Sequence, residues 1–106
     1  MEKLDIKRGN FSHIEGDKLK NLMIDIFGNC REEKEWLASD YGAMKPIKIN
    51  ILSKSELALE ITTVRIPDDQ VLDTMKKRNV FLETITGFTS KQRLKRMKDK
   101  AKKGTL

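Results

Sequence analysis

Residues 46–64 read PIKINILSKSELALEITTV, and this stretch decides the fold class. Its first part, Pro46–Leu52, has isoleucine at every second position, and its last part, Leu57–Val64, alternates leucine or isoleucine with other residues. Alternation with a period of two predicts two strands, each with one buried face. The polar residues Ser53–Glu56 lie between them, which predicts a β-hairpin.

Two further segments have the same alternation. Lys3–Lys7 predicts a strand that ends at Arg8-Gly9-Asn10, and Arg31–Ser39 predicts one continuous strand. The residues Asp40-Tyr41-Gly42 are predicted as the turn that follows.

The first helix is predicted over Lys18–Phe27, where apolar residues recur at i, i+3, i+4, i+7 and i+8. Asp17 suits its N-cap or first turn, and Gly28 suits the position after its end, because glycine adopts the left-handed conformation without steric cost.

Two more helices are predicted in the last third of the chain. One begins at Pro67 and ends at Gly87, and its predicted apolar stripe is Val71, Met75, Leu82 and Ile85, flanked by Leu72 and Phe81. The other is capped by Thr89 or Ser90 and has a narrow stripe of Leu94, Met97 and Ala101. Such a stripe docks a helix weakly and does not bury it.

The order of elements is strand, helix, several strands, helix, helix. It predicts an α+β fold, a two-layer α/β sandwich in which a mostly antiparallel sheet of four to five strands carries helices on one face. We expect a single domain, with residues 1–88 as its core and residues 89–106 as an appended basic helix.

Composition excludes several classes of protein. Charged residues make up 36% of the 106, and no apolar run approaches the roughly 18 residues of a membrane span. The single cysteine excludes an internal disulfide or a cysteine-rich zinc site. No apolar leader of signal-peptide type is present in residues 1–10, so we expect a cytoplasmic protein.

The positive charge is concentrated at one place. The segment from Lys91 to Lys103 contains eight basic residues and one acidic residue, so its net charge is +7. The rest of the chain contains 14 basic and 15 acidic residues, so its net charge is −1. Helical periodicity predicts that these bases line the two sides of the apolar stripe. Lys91, Lys95, Lys98 and Lys102 are on one side, and Arg93, Arg96, Lys100 and Lys103 are on the other. Cations on one helix release counterions from phosphates, so this helix predicts binding of nucleic acid. The segment has no aromatic side chain that could stack on bases, and Gln92 is its only amide side chain, so we expect little sequence specificity.

Three weaker candidates accompany this helix. Thr86–Lys91 either holds a phosphate at a helix N-terminus or is a helix break with a hydroxyl cap. Lys7 and Arg8 form a second basic point, and Lys76, Lys77 and Arg78 form a third, unless these are ordinary exposed charges.

Five segments, in order, resemble a small archaeal family of basic proteins: KRG at 7–9, FG at 27–28, SDYGA at 39–43, NVFL at 79–82 and TGFTSKQR at 86–93. The resemblance implies a fold like one half of the TATA-binding protein with an added C-terminal helix. It also implies binding of a polyanion, DNA more than RNA. It brings no catalytic residue. Because carboxylates and few aromatic residues are predicted on the outer face of the sheet, we expect contacts through the helices rather than through the sheet.

Other functions have less support. A protein-interaction module would dock an acidic partner through Leu94 and Met97, and a basic helix without any partner is the plainest alternative. Membrane binding is not expected, because the stripe offers little insertion energy. We predict no enzyme, small-molecule substrate, cofactor or metal. Cys30 has His13 as its only imidazole partner, and three acids, Glu32, Glu33 and Glu35, fit a solvated strand better than a metal site.

Overall fold

The computed structural model describes residues 2–104, with side chains described as far as Asp99. The strands are β1 (Glu2–Asp5), β2 (Arg31–Glu33), β3 (Trp36–Tyr41), β4 (Met44–Ile51) and β5 (Glu56–Thr63). The helices are α1 (Lys18–Phe27), α2 (Asp68–Thr86) and α3 (Ser90–Gly104), and a short 3₁₀ turn spans Asn10–His13. This composition of elements confirms the predicted α+β class and the predicted bounds of α1.

The five described strands form one antiparallel sheet in the order β1-β5-β4-β3-β2. The predicted β4–β5 hairpin is at its centre, with Ile49 opposite Leu59 and Ile51 opposite Leu57. The amides of Leu52 and Ser53 donate to the carbonyl of Glu56 at 3.0 Å and close its turn. The sheet is therefore organised around the stretch with the strongest alternation.

The hydrophobic core lies between one face of the sheet and the helices α1 and α2. α1 buries the side chains of Leu19, Met23 and Phe27, and the ring of Phe27 meets that of Phe81 of α2 edge-on at 4.9 Å between centroids. Each such side chain contributes roughly 1.5–3 kcal/mol on burial. Gly28 ends α1 with φ 83°, and its amide donates to the carbonyl of Ile24, as predicted.

The prediction of one strand over Arg31–Ser39 is wrong. The chain reverses at Lys34 and Glu35, so that β2 and β3 pair, with Glu33 opposite Trp36. Lys34 adopts φ 58°, a left-handed conformation in a residue that gives no turn signal. Because of this reversal, Glu33 and Trp36 share one face instead of lying on opposite faces.

The predicted turn Asp40-Tyr41-Gly42 is displaced along the chain. Asp40 and Tyr41 belong to β3, and Gly42 and Ala43 make the turn. Gly42 has φ 52°, and a Cβ there would clash with the hydroxyl of Thr74, so glycine is the residue that fits against α2 without a shift of Thr74. The amide of Ala43 donates to that hydroxyl at 3.2 Å, which ties the turn to α2.

α2 begins after Pro67 and ends before Gly87, as predicted, but its buried stripe differs. The buried side chains are Thr74, Phe81, Leu82, Ile85 and Thr86. The predicted stripe residue Met75 is exposed, as is Leu72. The first half of α2 therefore buries only Thr74 and leaves apolar side chains in solvent.

The end of α2 is held by the loop that follows β1. The side-chain amide of Asn10 donates to the carbonyls of Thr84 and Ile85, at 3.1 and 2.8 Å, and the amide of Lys7 donates to the carbonyl of Thr86 at 2.7 Å. These bonds satisfy carbonyls that a helix end leaves without partners. The loop after β1 is thus fixed at the junction between α2 and α3.

Candidate nucleic-acid interface

α3 begins in a capping box. The hydroxyl of Thr89 accepts a hydrogen bond from the amide of Gln92 at 3.2 Å, and the side-chain oxygen of Gln92 accepts one from the amide of Thr89 at 2.9 Å. Thr89 rather than Ser90 is therefore the cap. Two amide donors that a phosphate at this helix start would need are already paired, which supports the helix break over the phosphate site at Thr86–Lys91.

Arg93 faces the body of the protein. Its side chain is buried, with 9% of the residue exposed, and its guanidinium donates to the carbonyl of Phe88 at 2.7 Å and to the hydroxyl of Ser90 at 3.1 Å. Burial, and then the nearby charge of Arg78, lower the pKa of Arg93. The sequence predicts a phosphate contact at Arg93, but two donors of its guanidinium are turned inward, to Phe88 and Ser90.

Arg96 joins α3 to the edge strand β1. Its Nε donates to a carboxylate oxygen of Asp5 at 2.9 Å, and its guanidinium lies 4.6 Å from the centroid of the Phe88 ring. The planar guanidinium is suited to both contacts at once. Half of the Arg96 side chain is exposed, but its charge is already balanced by Asp5.

The lysines of α3 face outward. Lys91, Lys95 and Lys98 are exposed and lie at i, i+4 and i+7, so they form one line, which we call the α3 lysine row. They border one shallow depression together with Leu94 and Gln92. Among residues 2–99, no acidic side chain forms an ion pair with any of the three. The side chains of Lys100, Lys102 and Lys103 lie outside the described part of the chain.

The two smaller basic candidates are divided by the fold. Lys7 packs its Cβ against Gly87, next to the start of α3, and neighbouring Arg8 is exposed. Arg78 borders the same depression as Arg93. Lys76 and Lys77 precede Arg78 on α2, where each residue is turned by about 100° from the next, so they point to other sides of the helix. The structure therefore brings Lys7 and Arg78 near α3 but not the whole third cluster.

The outer face of the sheet carries paired charges. Lys48 lies between buried Ile47 and Ile49, so it points away from the helices, and its Nζ is 3.1 Å from a carboxylate oxygen of Glu33. The guanidinium of Arg31 lies 3.4 Å from a carboxylate oxygen of Glu33 and 3.0 Å from a carboxylate oxygen of Asp40. The hydrogen bond from Lys48, opposed by desolvation, lowers the pKa of Glu33. Carboxylates on this face would repel phosphates.

The residues considered for other chemistry are separated. His13 lies before α1 and Cys30 after it, and ten helical residues span about 15 Å. Burial raises the pKa of the Cys30 thiol, whose sulfur is 4.0 Å from that of Met23. The carboxylate of Glu32 lies 3.5 Å from the ammonium of Lys20.

In the described part of the chain, no group of three or more His, Cys, Asp or Glu side chains could hold a metal ion. No helix there is long and apolar enough to cross a membrane.

Comparison with known proteins identifies a family whose model matches nearly the whole chain. The family described as a domain of unknown function (DUF5611) matches residues 1–99, which includes the sheet, α1, α2 and the described side chains of α3. Searches of the curated proteins and of the solved structures find no match. The implied likeness to half of the TATA-binding protein therefore stays a prediction.

Proposed function

The chain belongs to the DUF5611 family, and we propose that it is a non-catalytic protein that binds the phosphate backbone of nucleic acid. The α3 lysine row supplies the contacts. DNA is the first candidate ligand and RNA the second, because the sequence resemblance implies a fold like half of the TATA-binding protein.

The observation that carries this proposal is the difference between the arginines and the lysines of α3. Arg93 and Arg96 are engaged by the body of the protein, whereas the α3 lysine row is exposed and without an acidic partner among residues 2–99. Along the helix axis, successive lysines of the row are about 6 and about 4.5 Å apart. Flexible lysine side chains on such a line can reach successive phosphates, and each phosphate neutralised releases counterions.

Little sequence preference is expected. Gln92 is the only amide side chain between Lys91 and Lys103, and its oxygen is engaged by the amide of Thr89. Phosphate contacts position a protein on nucleic acid, but they do not discriminate between bases. The proposal therefore predicts similar affinity for duplexes of different sequence.

The experiment is a salt series. The affinity for a labelled duplex is measured by fluorescence anisotropy between about 50 and about 300 mM KCl, for the natural chain and for a variant with Gln at the three positions of the row. Each phosphate contact contributes about 0.9 to the slope of log K against log [salt], so three contacts contribute about 2.7. We expect the variant to lose that part of the slope and most of its affinity.

A matched variant removes the same charge elsewhere. It replaces three lysines that lie on exposed turns or strands far along the chain from α3 by Gln: Lys34, Lys45 and Lys54. We expect it to bind with nearly the natural slope. Equal losses in the two variants would mean that net charge, and not the α3 lysine row, determines binding, and no binding by the natural chain at about 50 mM KCl would contradict the proposal.

A protein partner is the second candidate. It is favoured by Leu94 and Met97, which are about half exposed beside the α3 lysine row and so offer apolar contacts that a phosphate backbone cannot use. An acidic helix would fit this pattern. Proteins captured by the natural chain after nuclease treatment, and lost on Leu94→Asp, would favour this function over the first.

A further inference from the structure

The exposed cations of α3 occupy a narrow arc of the helix. Each residue of a helix is turned by about 100° from the one before, so Lys91, Lys95 and Lys98 point in directions that lie within about 60° of one another. All three side chains are exposed. Among residues 91–99, the cations that do not face the body of the protein therefore form a single line along α3.

The opposite side of α3 faces the body of the protein. Arg93 and Arg96 point about 170° and about 130° away from the middle of the α3 lysine row. Arg93 is buried, and Arg96 donates to a carboxylate oxygen of Asp5 on β1 at 2.9 Å. The α3 lysine row is therefore directed away from the body, and a ligand reaches it from solvent.

The two flanks of α3 carry no further cation among residues 91–99. Exposed Asp99 points about 70° to one side of the α3 lysine row, and exposed Gln92 points about 90° to the same side. Leu94 points about 70° to the other side and is 53% exposed. Across the helix, the α3 lysine row therefore lies between an acidic flank and an apolar one.

A helix with this arrangement does not fit a groove of a duplex. An α-helix is about 10–12 Å wide and the major groove is about 12 Å wide, so a helix in the groove has a phosphate strand on each flank and base edges at the floor. With the α3 lysine row towards the bases, Asp99 would face one phosphate strand and Leu94 the other. With the row towards one strand, the side of α3 that meets the body would have to face the other strand. Neither orientation lets the cations of residues 91–99 contact both strands.

We propose that α3 lies along one strand of nucleic acid and contacts consecutive phosphates of that strand only. The inference rests on the proposed function and names its ligand as a single sugar–phosphate backbone, either alone or as one side of a duplex. Lys91 and Lys98 are about 10.5 Å apart along the helix axis. Phosphates of one strand follow each other about every 3.4 Å along a duplex, so the α3 lysine row spans about three of them.

The experiment compares three DNA ligands of equal length. The first is a duplex, the second is one of its strands alone, and the third is the duplex with uncharged methylphosphonates throughout one strand. Fluorescence anisotropy between about 50 and about 300 mM KCl gives the slope of log K against log [salt] for the natural chain and for the variant with Gln at the three positions of the row. The difference between the two slopes is the contribution of the α3 lysine row.

A one-strand contact keeps three phosphate contacts on every ligand. We expect the α3 lysine row to contribute about 2.7 to the slope on the duplex, at about 0.9 for each contact. The other two ligands have one charged strand, where each contact contributes about 0.7, so we expect a contribution of about 2.1 on both. The variant with Gln at Lys34, Lys45 and Lys54 is the matched control and is expected to keep nearly the natural slope on all three ligands.

Insertion of α3 between two strands predicts a different result. Its contacts would be divided between the strands, so the half-neutral duplex would keep two contacts or fewer, and a contribution of about 1.4 or less on that ligand would overturn the inference. The natural chain gives a comparison without any variant. Its slope on the half-neutral duplex should be about 0.8 of its slope on the duplex, and a ratio of about one half or less would overturn the inference.

Failure of the inference and failure of the proposed function give different results. Binding of the duplex with a contribution of about 2.7 from the α3 lysine row, together with loss of that contribution on the single strand, would overturn the one-strand contact and leave the proposed function standing. Absence of binding to all three ligands at about 50 mM KCl would contradict the proposed function, and the one-strand contact with it.

Discussion

Replacing Arg93 by Gln and replacing Lys95 by Gln each remove one positive charge from α3, yet we expect the two substitutions to act on different properties. Arg93 is buried and donates to the carbonyl of Phe88 and to the hydroxyl of Ser90. Lys95 is exposed and forms no ion pair among residues 2–99. We therefore expect the first substitution to weaken the docking of α3, and the second to weaken only the phosphate contact that the proposed function assigns to Lys95.

The magnitudes follow from these contacts. Hydrogen bonds from a charged donor contribute about 1.5–3 kcal/mol each, so the two bonds of Arg93 contribute roughly 3–6 kcal/mol. Desolvation of its guanidinium and the nearby charge of Arg78, which lower its pKa, oppose part of this. We expect a net loss of about 2 kcal/mol for Arg93→Gln, whereas an exposed lysine changes stability by less than about 0.5 kcal/mol.

Two assays separate the effects. Amide hydrogen exchange measures the opening of α3, and a loss of about 2 kcal/mol increases the exchange rate of its amides about 30-fold. The salt dependence of duplex binding measures phosphate contacts, and Lys95→Gln is expected to reduce the slope by about 0.9. Arg93→Gln is expected to leave that slope unchanged. A slope reduced by Arg93→Gln together with unchanged exchange would refute the assignment of Arg93 to docking.

Three further substitutions test the fold. Gly42→Ala is expected to lower the free energy of unfolding in urea by about 2–3 kcal/mol, because alanine is strained at φ 52° and its Cβ meets the Thr74 hydroxyl; the penalty should shrink in a Thr74→Ala background. The hydrogen bond from Lys48 holds the pKa of Glu33 below 4.5, so its stabilisation is present above that pH and is lost as the pH falls through the lowered pKa. When the free energy of unfolding is measured as a function of pH, it should therefore fall less below pH 4.5 for Glu33→Gln than for the natural chain. Thr89→Ala removes the cap of α3 and should lower the stability of this helix by about 1 kcal/mol, which is measured as faster hydrogen exchange of its amides. Thr89→Ser keeps the hydroxyl and should lower the stability little.

The parts of the fold that the sequence predicted well are those with local signals. α1 has a complete apolar stripe and a glycine at its end, and its bounds agree with the prediction. The β4–β5 hairpin has alternation on both sides of a polar turn. In each case a few neighbouring residues determine the element, so the pattern is visible without knowledge of the rest of the chain.

The parts that were missed depend on contacts between distant residues. The reversal at Lys34 is stabilised by the pairing of β2 with β3, and lysine itself gives no indication of a left-handed turn. Thr74 is buried on α2 because it meets the turn at Gly42, although it is less apolar than Met75. The bonds from Asn10 to the end of α2 likewise join residues more than 70 positions apart.

The candidate site divides in the same way. Helical periodicity alone placed Lys91, Lys95 and Lys98 on one side of α3, and the structure has them there. Periodicity also placed Arg93 and Arg96 together on the other side. It could not indicate that this side meets the edge strand β1 and Phe88, because that contact depends on the path of the loop before α3.

The division of arginine and lysine on α3 has a physical basis. A guanidinium has planar donors and a weakly hydrated face, so it can bond a carbonyl or stack on Phe88 in a partly buried position, whereas an ammonium is strongly hydrated and is favoured in solvent. The two arginines fix the rotation of α3 about its own axis, and this rotation directs the α3 lysine row outward. Under the proposed function, nucleic-acid binding would then depend on the contacts by which Arg93 and Arg96 orient α3. Exchanging the two residue types along α3 would conserve its charge of +7 and still remove the interface, because the helix would lose the contacts that orient it.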